Sequence, residues 1–211
     1  MKMHPVSLIW AALLSTVIFL VPCLAQEATD RFDRIRESFS RVKSIRTDFV
    51  QEKRMKILAR PLVSEGSFQY RAPADIRWEY RNPIRSVLMM DNGDVKRYTW
   101  NGSAWVEDRG AGLEAMRFVL QDISGWVSGE FGSSSHFRAE LKEGDPVRVT
   151  LIPRDPSIGS FIQQVVLTLS PQPGVLKSVE IVEGPGSSTL IELRNTVVNV
   201  SFPEDLFRKA P

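Results

Sequence analysis

Two strictly alternating runs meet across an Ala-Pro-Ala-Asp turn in the stretch Gly66–Tyr80, and the rest of the chain can be read outward from them. Before the turn, Phe68, Tyr70 and Ala72 share one face, and Ser67, Gln69 and Arg71 the other. After it, Ile76, Trp78 and Tyr80 oppose Asp75, Arg77, Glu79 and Arg81. A period of two predicts paired strands with one buried face. Pro73 fixes its own φ and has no N–H to give to a ladder, so it belongs to the turn. The hairpin therefore has an aromatic side and a charged side.

Upstream, Thr29 and Asp30 are good N-cap types, and Phe32, Ile35, Phe39 and Val42 recur at steps of 3, 4 and 3, which predicts an amphipathic helix of about four turns. From Ser44 the period becomes two, giving candidate strands 45–56, 62–71, 75–81, 86–92, 94–101 and 104–107. Asn92-Gly93 and Asn101-Gly102 are strong hairpin signals between them. The pattern breaks over 110–129, where Leu113, Met116, Leu120, Ile123 and Val127 stand at helical spacing with Val119 and Trp126 beside them. A second strand series follows at 137–143, 146–153, 161–169, 175–183 and 188–200.

Short connections between so many strands predict an antiparallel meander, and a sheet that long within one domain must curl. Two amphipathic helices need an apolar surface to lie on. The expected fold is mainly β: an unclosed antiparallel barrel of about eleven strands with an α-helical lid across its concave face.

Composition adds a compartment. Lys2, an uncharged run from Val6 to Val21 and Cys23-Leu24-Ala25 match the three regions of a secretory leader, so residues 1–25 are expected to be removed and 26–211 to form a single domain. A lipoprotein leader acylated at Cys23 would need a small residue where Pro22 stands. Without the leader the chain keeps 26 basic and 25 acidic residues, no cysteine and one histidine, His136. That balance argues against nucleic acid as a partner. The missing cysteines remove a disulfide framework and a His/Cys metal centre, and export without cysteine suits a bacterial periplasm.

Little in the chain suggests catalysis. There is no Gly-x-Ser-x-Gly elbow, His136 follows a serine-rich stretch that reads as a solvated loop, and Glu52, Glu65 and Glu79 fall on polar strand faces. What remains is apolar. Phe49, Phe68, Tyr70, Ile76, Trp78, Tyr80, Val87 and Met89 from the sheet, with Leu113, Met116, Leu120, Ile123 and Trp126 from the lid, are candidates to line a lipid-sized cavity. A closed core is the alternative at each of these positions.

At this point the chain resembles the LolA family of periplasmic outer-membrane lipoprotein carriers. The resemblance rests on the order and spacing of Val42-Lys43-Ser44-Ile45, Asp48-Phe49-Val50-Gln51, Gly66 to Pro73, Ile76-Arg77-Trp78 and the Asp91-Asn92-Gly93 turn, followed by a helical insertion. It implies a LolA/LolB-like fold and a monomer that binds lipoprotein acyl chains without cofactor or catalysis. It also implies an inner-membrane ABC transporter as donor and an outer-membrane acceptor. Well-studied members carry an inward arginine directly before the hairpin proline, where it helps close the lid; here that position is Ala72. Arg71 points to the other face by alternation. Carriers of another amphiphile, such as a glycolipid or polyene precursor, and lipid-sensing envelope proteins therefore stay open as alternatives.

Overall fold

Eleven strands form one sheet in the computed structural model, whose described residues are 21–110, 112–132 and 134–210. Residues up to Arg34 and residues Ile35–Pro211 are separate compact units; the described part of the first is helical, and the sheet belongs to the second. Strands β1 (Ser44–Arg54), β2 (Leu62–Arg71), β3 (Asp75–Asn82), β4 (Ser86–Asp91), β5 (Asp94–Trp100) and β6 (Trp105–Asp108) make one meander. Strands β7 (Phe137–Lys142), β8 (Arg148–Pro153), β9 (Gln164–Leu169), β10 (Leu176–Gly184) and β11 (Ser187–Val198) make the other. The two halves are joined by the pairing of β1 with β11, and the order runs β6-β5-β4-β3-β2-β1-β11-β10-β9-β8-β7. The sheet thus ends at β6 and β7 without closing, as the strand count predicted.

Helix α1 (Val21–Ser40) starts well before the expected cap at Thr29 and Asp30. Leu24 to Ala28 are good helix formers with no glycine or proline among them, so nothing there stops a helix. The proposed leader falls on residues 1–20, which lie outside the described residues, and on the first turn of α1. Helix α2 (Gly112–Val127) occupies the predicted insertion. A short α3 (Pro156–Gly159), capped by the Asp155 carboxylate accepting from the Ser157 amide at 2.8 Å, lies in the connection before β9, which starts at Gln164 rather than at the expected 161. Its proline and cap suit a single helical turn better than a ladder.

The predicted hairpin register is the observed one: Phe68 faces Trp78, Tyr70 faces Ile76 and Arg71 faces Asp75. Register shifts at Arg46/Asp48, Glu65/Gly66 and Val182/Gly184 interrupt the ladders. Such irregularities bend strands and raise their twist, which lets the sheet curl. The last turn of α1 packs on the lower end of the sheet, the end that carries the β2–β3 turn. There Phe39 meets Phe131 edge-on at 5.2 Å. Gly129, with φ of 86°, allows that approach, since a Cβ there would stand 2.7 Å from that of Phe39.

The outer face is covered where sequence parity suggested an inner one. Val87 and Met89 were expected in the cavity, but both are buried on the opposite face, with Arg77 donating to Met89 Sδ at 3.2 Å and to the carbonyls of Leu206 and Lys209. Val87-Leu88-Met89-Met90 is apolar throughout and carries no alternation to fix its facing. Leu88 and Met90 are the inward pair, opposite Trp78 and Ile76.

Gly66 is the tightest point of the inner face. It pairs with Phe49 and Tyr80, whose rings meet across it at 5.2 Å, and a Cβ there would lie 2.0 Å from the Glu79 carbonyl and 2.6 Å from Phe49 Cζ. Gly66→Ala should destabilise the protein by about 3 kcal/mol or more, at the upper end of overpacking costs, read as a lowered urea midpoint with unchanged slope.

Candidate functional site: an apolar cavity under helix α2

The inner face of a sheet that does not close has to be covered by something else, and α2 covers only part of it. The helix contacts β5 and β3. Between it and the sheet lies a cavity of about 440 Å³. Its floor is aromatic. Phe49, Phe68, Trp78 and Tyr80 interlock with ring centroids 5.2 to 5.5 Å apart in edge-on contacts, and Trp78 stacks on Tyr80 at 6.3 Å. Each such pair contributes roughly 0.5–1.5 kcal/mol beyond burial, so the floor is rigid.

Met116, Leu120, Ile123 and Trp126 of α2 line the roof together with Val119 and Val127. Met116 and Val119 are exposed as well, which marks where the cavity opens. Three predicted sheet residues are corrected. Tyr70 and Ile76 are fully buried beneath the lower end of α2 and form closed core. Met89 lies on the outer face. Leu113, expected in the roof, is half-buried outside the lining. Helical spacing placed it on the right side but too near the end of α2 to reach the floor.

Sequence reasoning missed the contribution of the second meander. Val179 and Ile181 of β10 and Thr189, Ile191 and Leu193 of β11 form the far wall. Their alternation was visible, but nothing local says that β11 returns to β1.

The wall is graded. At the upper end, which carries the β1–β2 and β3–β4 connections, it presents Gln51, Tyr80, Ser86 and Thr189. Two residues further along the same strands stand Phe49, Trp78, Leu88 and Ile191. The upper polar groups are engaged: Tyr80 Oη donates to Gln51 Oε1 at 2.9 Å, and Thr189 Oγ1 donates to Glu183 Oε1 at 2.9 Å. Arg97, also in the wall, faces Asp108 at 3.6 Å. Burial pushes the Tyr80 phenol up to about 12. The indole nitrogens of Trp78 and Trp126 are buried behind the wall rather than open to the cavity.

Helix α2 is tied down near its C-terminal end. Ser124 Oγ donates to the Pro73 carbonyl at 2.9 Å, and Tyr70 Oη donates to the same oxygen at 3.1 Å. Asp122 accepts from Ser134 Oγ at 3.1 Å and lies 3.3 Å from His136 Nδ1. The histidine expected in a solvated loop is thus part of the tether between α2 and β7. Ala72 is half-buried and its amide donates to the Lys43 carbonyl at 2.9 Å. Arg71 does point outward, paired with Asp75 at 2.7 Å and lying over the Phe207 ring at 4.6 Å.

The family described as outer membrane lipoprotein carrier protein LolA matches residues 40–210. This chain belongs to the LolA family. LolA family proteins are periplasmic carriers and binders of lipid or lipoprotein. Solved structures share the fold at low identity. An uncharacterized conserved protein from Thermus thermophilus superposes with a TM-score of 0.51 at 10% identity, covering 89% of this chain and 94% of its own. A LolA superfamily protein from Nitrosomonas europaea has a TM-score of 0.44 at 11% identity, with 86% and 97% covered. MucB, in the Pseudomonas aeruginosa MucA/MucB complex, has a TM-score of 0.47 at 16% identity; this chain spans 61% of its length and 87% of itself is covered. No curated protein sequence matches. Among the described residues no helix is long and apolar enough to cross a membrane, and no cluster of metal-ligating side chains occurs.

Two outcomes follow from the geometry of this LolA-family site. Ser124→Ala removes one of two donors to the Pro73 carbonyl, so it should cost about 1 kcal/mol or less while raising amide hydrogen exchange across 112–127. The Tyr80 phenol, ordinarily near 10.0, is held neutral to about 12 in the folded state. Its contribution to stability should be complete below pH 10 and lost as pH rises towards 12. In a spectrophotometric titration Tyr80→Phe should remove one equivalent of late-ionising phenol.

Proposed function

We propose that this protein is a periplasmic carrier that binds the acyl chains of lipoproteins in the cavity under α2 and moves them from the inner to the outer membrane. Residues 1–25 serve as its cleaved leader, an inner-membrane ABC transporter as donor and an outer-membrane protein as acceptor. The observation that carries this reading is the graded wall. An amphiphile would lay its chain along Phe49, Trp78, Leu88 and Ile191 and keep its polar end by Gln51, Tyr80, Ser86 and Thr189. The volume of about 440 Å³ falls among those of small-molecule pockets, roughly 300–1,000 Å³.

Another amphiphile, such as a glycolipid or polyene precursor, is the second reading, and Ala72 favours it. A lid tied by a neutral hydroxyl rather than a guanidinium is held by a hydrogen bond of roughly 0.5–1.5 instead of 1.5–3 kcal/mol. A carrier built this way trades hold for exchange.

Mass spectrometry of lipids copurifying with the exported protein separates the two readings. A fluorescent acyl-chain probe should bind and quench tryptophan emission from Trp78 and Trp126. Met116→Asp sets a carboxylate at the opening, where folding tolerates it, and should weaken the probe by at least tenfold. Unchanged affinity in a folded variant would refute binding under α2.

A further inference from the structure

The hairpin that joins β1 to β2 does not end where its neighbour does. β3 stops at Asn82 opposite Glu65, so Leu62, Val63 and Ser64 extend past it, and the connection beyond Arg54 projects from the upper end of the sheet. Its side chains are unlike those of an ordinary exposed loop. Ile57 is 86% exposed, Leu62 52% and Val63 50%, and on the adjacent β3–β4 connection Ile84 is 65% exposed. An isolated exposed leucine needs no explanation, but a projecting group of four branched apolar side chains does.

Basic charge dominates the connection itself. From Lys53 to Ser64 the chain carries Lys53, Arg54, Lys56 and Arg60 and no acidic residue, and the β3–β4 connection adds Arg85. Lys53 and Arg54 are held by Glu183 at 3.1 Å and Glu52 at 3.5 Å, which leaves Lys56, Arg60 and Arg85 as the outward cations. Arg85 also spans two indoles, 5.1 Å from the Trp100 ring and 5.3 Å from the Trp105 ring, at the β5–β6 connection of the same end. Exposed branched apolar side chains, cations and tryptophans gathered at one end are the residue types that interfacial membrane-binding surfaces use.

We infer that the β1–β2 hairpin, with the β3–β4 turn beside it, docks this protein on an anionic phospholipid surface, Ile57 and Ile84 entering the acyl boundary and Lys56, Arg60 and Arg85 meeting lipid phosphates. Charge complementarity selects a membrane over a second copy of the chain, whose matching face would repel it. The polar-walled end of the cavity is the end from which the hairpin projects, so docking brings that end towards the lipid. The docking itself does not depend on what the cavity holds.

Flotation of the exported protein with vesicles of phosphatidylethanolamine and phosphatidylglycerol, against vesicles of phosphatidylcholine, tests this. Recovery should favour the anionic vesicles and fall with added salt. Each basic side chain near an anionic surface changes affinity about fivefold, so Lys56→Ala with Arg60→Ala should lower it by roughly 20- to 30-fold. Ile57→Asp with Ile84→Asp should lower it by at least tenfold, with circular dichroism and acyl-probe binding unchanged. Equal recovery on both vesicle types, or full recovery of both double variants, would overturn the proposal. A dimer in sedimentation that Ile57→Asp disperses would assign the hairpin to a second copy instead. Probe binding without flotation refutes the docking alone, and flotation without probe binding refutes the cavity reading alone.

Discussion

A sheet of eleven strands whose edges β6 and β7 do not pair has an inner face that its own curvature cannot bury, and every functional feature of this molecule follows from how that face is covered. The single helix between those edges, α2, has 16 residues and so spans about 24 Å. That length closes the lower end, where Tyr70 and Ile76 are fully buried, and leaves the upper part roofed but unfilled. A cavity of this kind is a property of the architecture. It is held open because the aromatic floor is already packed edge to face and cannot collapse upward without breaking those contacts.

The tether of α2 shows how position 72 can lose its charge without the helix coming loose. The resemblance implies an inward arginine before the hairpin proline; this chain has Ala72, and its neighbouring Arg71 is committed to Asp75 and Phe207 on the outer face. The tie between hairpin and lid is inverted. The helix supplies the donor, Ser124 Oγ, and the hairpin supplies the acceptor, the Pro73 carbonyl, already shared with Tyr70. Asp122, with Ser134 and His136, adds a second tie at the β7 side. Both ties lie in the last two turns of α2, and the half that carries Met116 and Val119 borders the opening of the cavity.

The first meander could be read from sequence almost to its boundaries because alternation, turn residues and register agree there: Phe68 and Trp78 pair as their parity demands, and Pro73 sits in the turn. Where the agreement lapses, so did the reading. Val87 to Met90 is apolar at every position, and only the C-terminal segment, whose carbonyls meet Arg77, makes the outer face there a buried one. Tyr70 and Ile76 have the right parity for the cavity yet belong to closed core, because depth along a strand depends on where a distant helix lands. The far wall from β10 and β11 needed the long-range pairing of Phe49 with Leu193, and no local pattern encodes a contact of that sequence separation.

The upper end combines two demands that oppose each other. A cavity for an amphiphile needs a polar collar, which Gln51, Tyr80, Ser86 and Thr189 provide, and the Tyr80 and Thr189 hydroxyls are hydrogen-bonded within the protein. The hairpin beyond it does the reverse and leaves Ile57, Leu62 and Val63 at least half exposed. Within a single strand the chain passes from Phe49 in the floor through Gln51 in the collar to the basic, apolar tip, so floor, collar and tip are ordered by strand geometry alone. A ligand whose polar end sits at the collar stands between an aromatic floor and a surface suited to lipid. Transfer along that axis would exchange one apolar environment for another, and the hydrophobic cost of passing a chain through water, about 0.8 kcal/mol per methylene, would not have to be met in full.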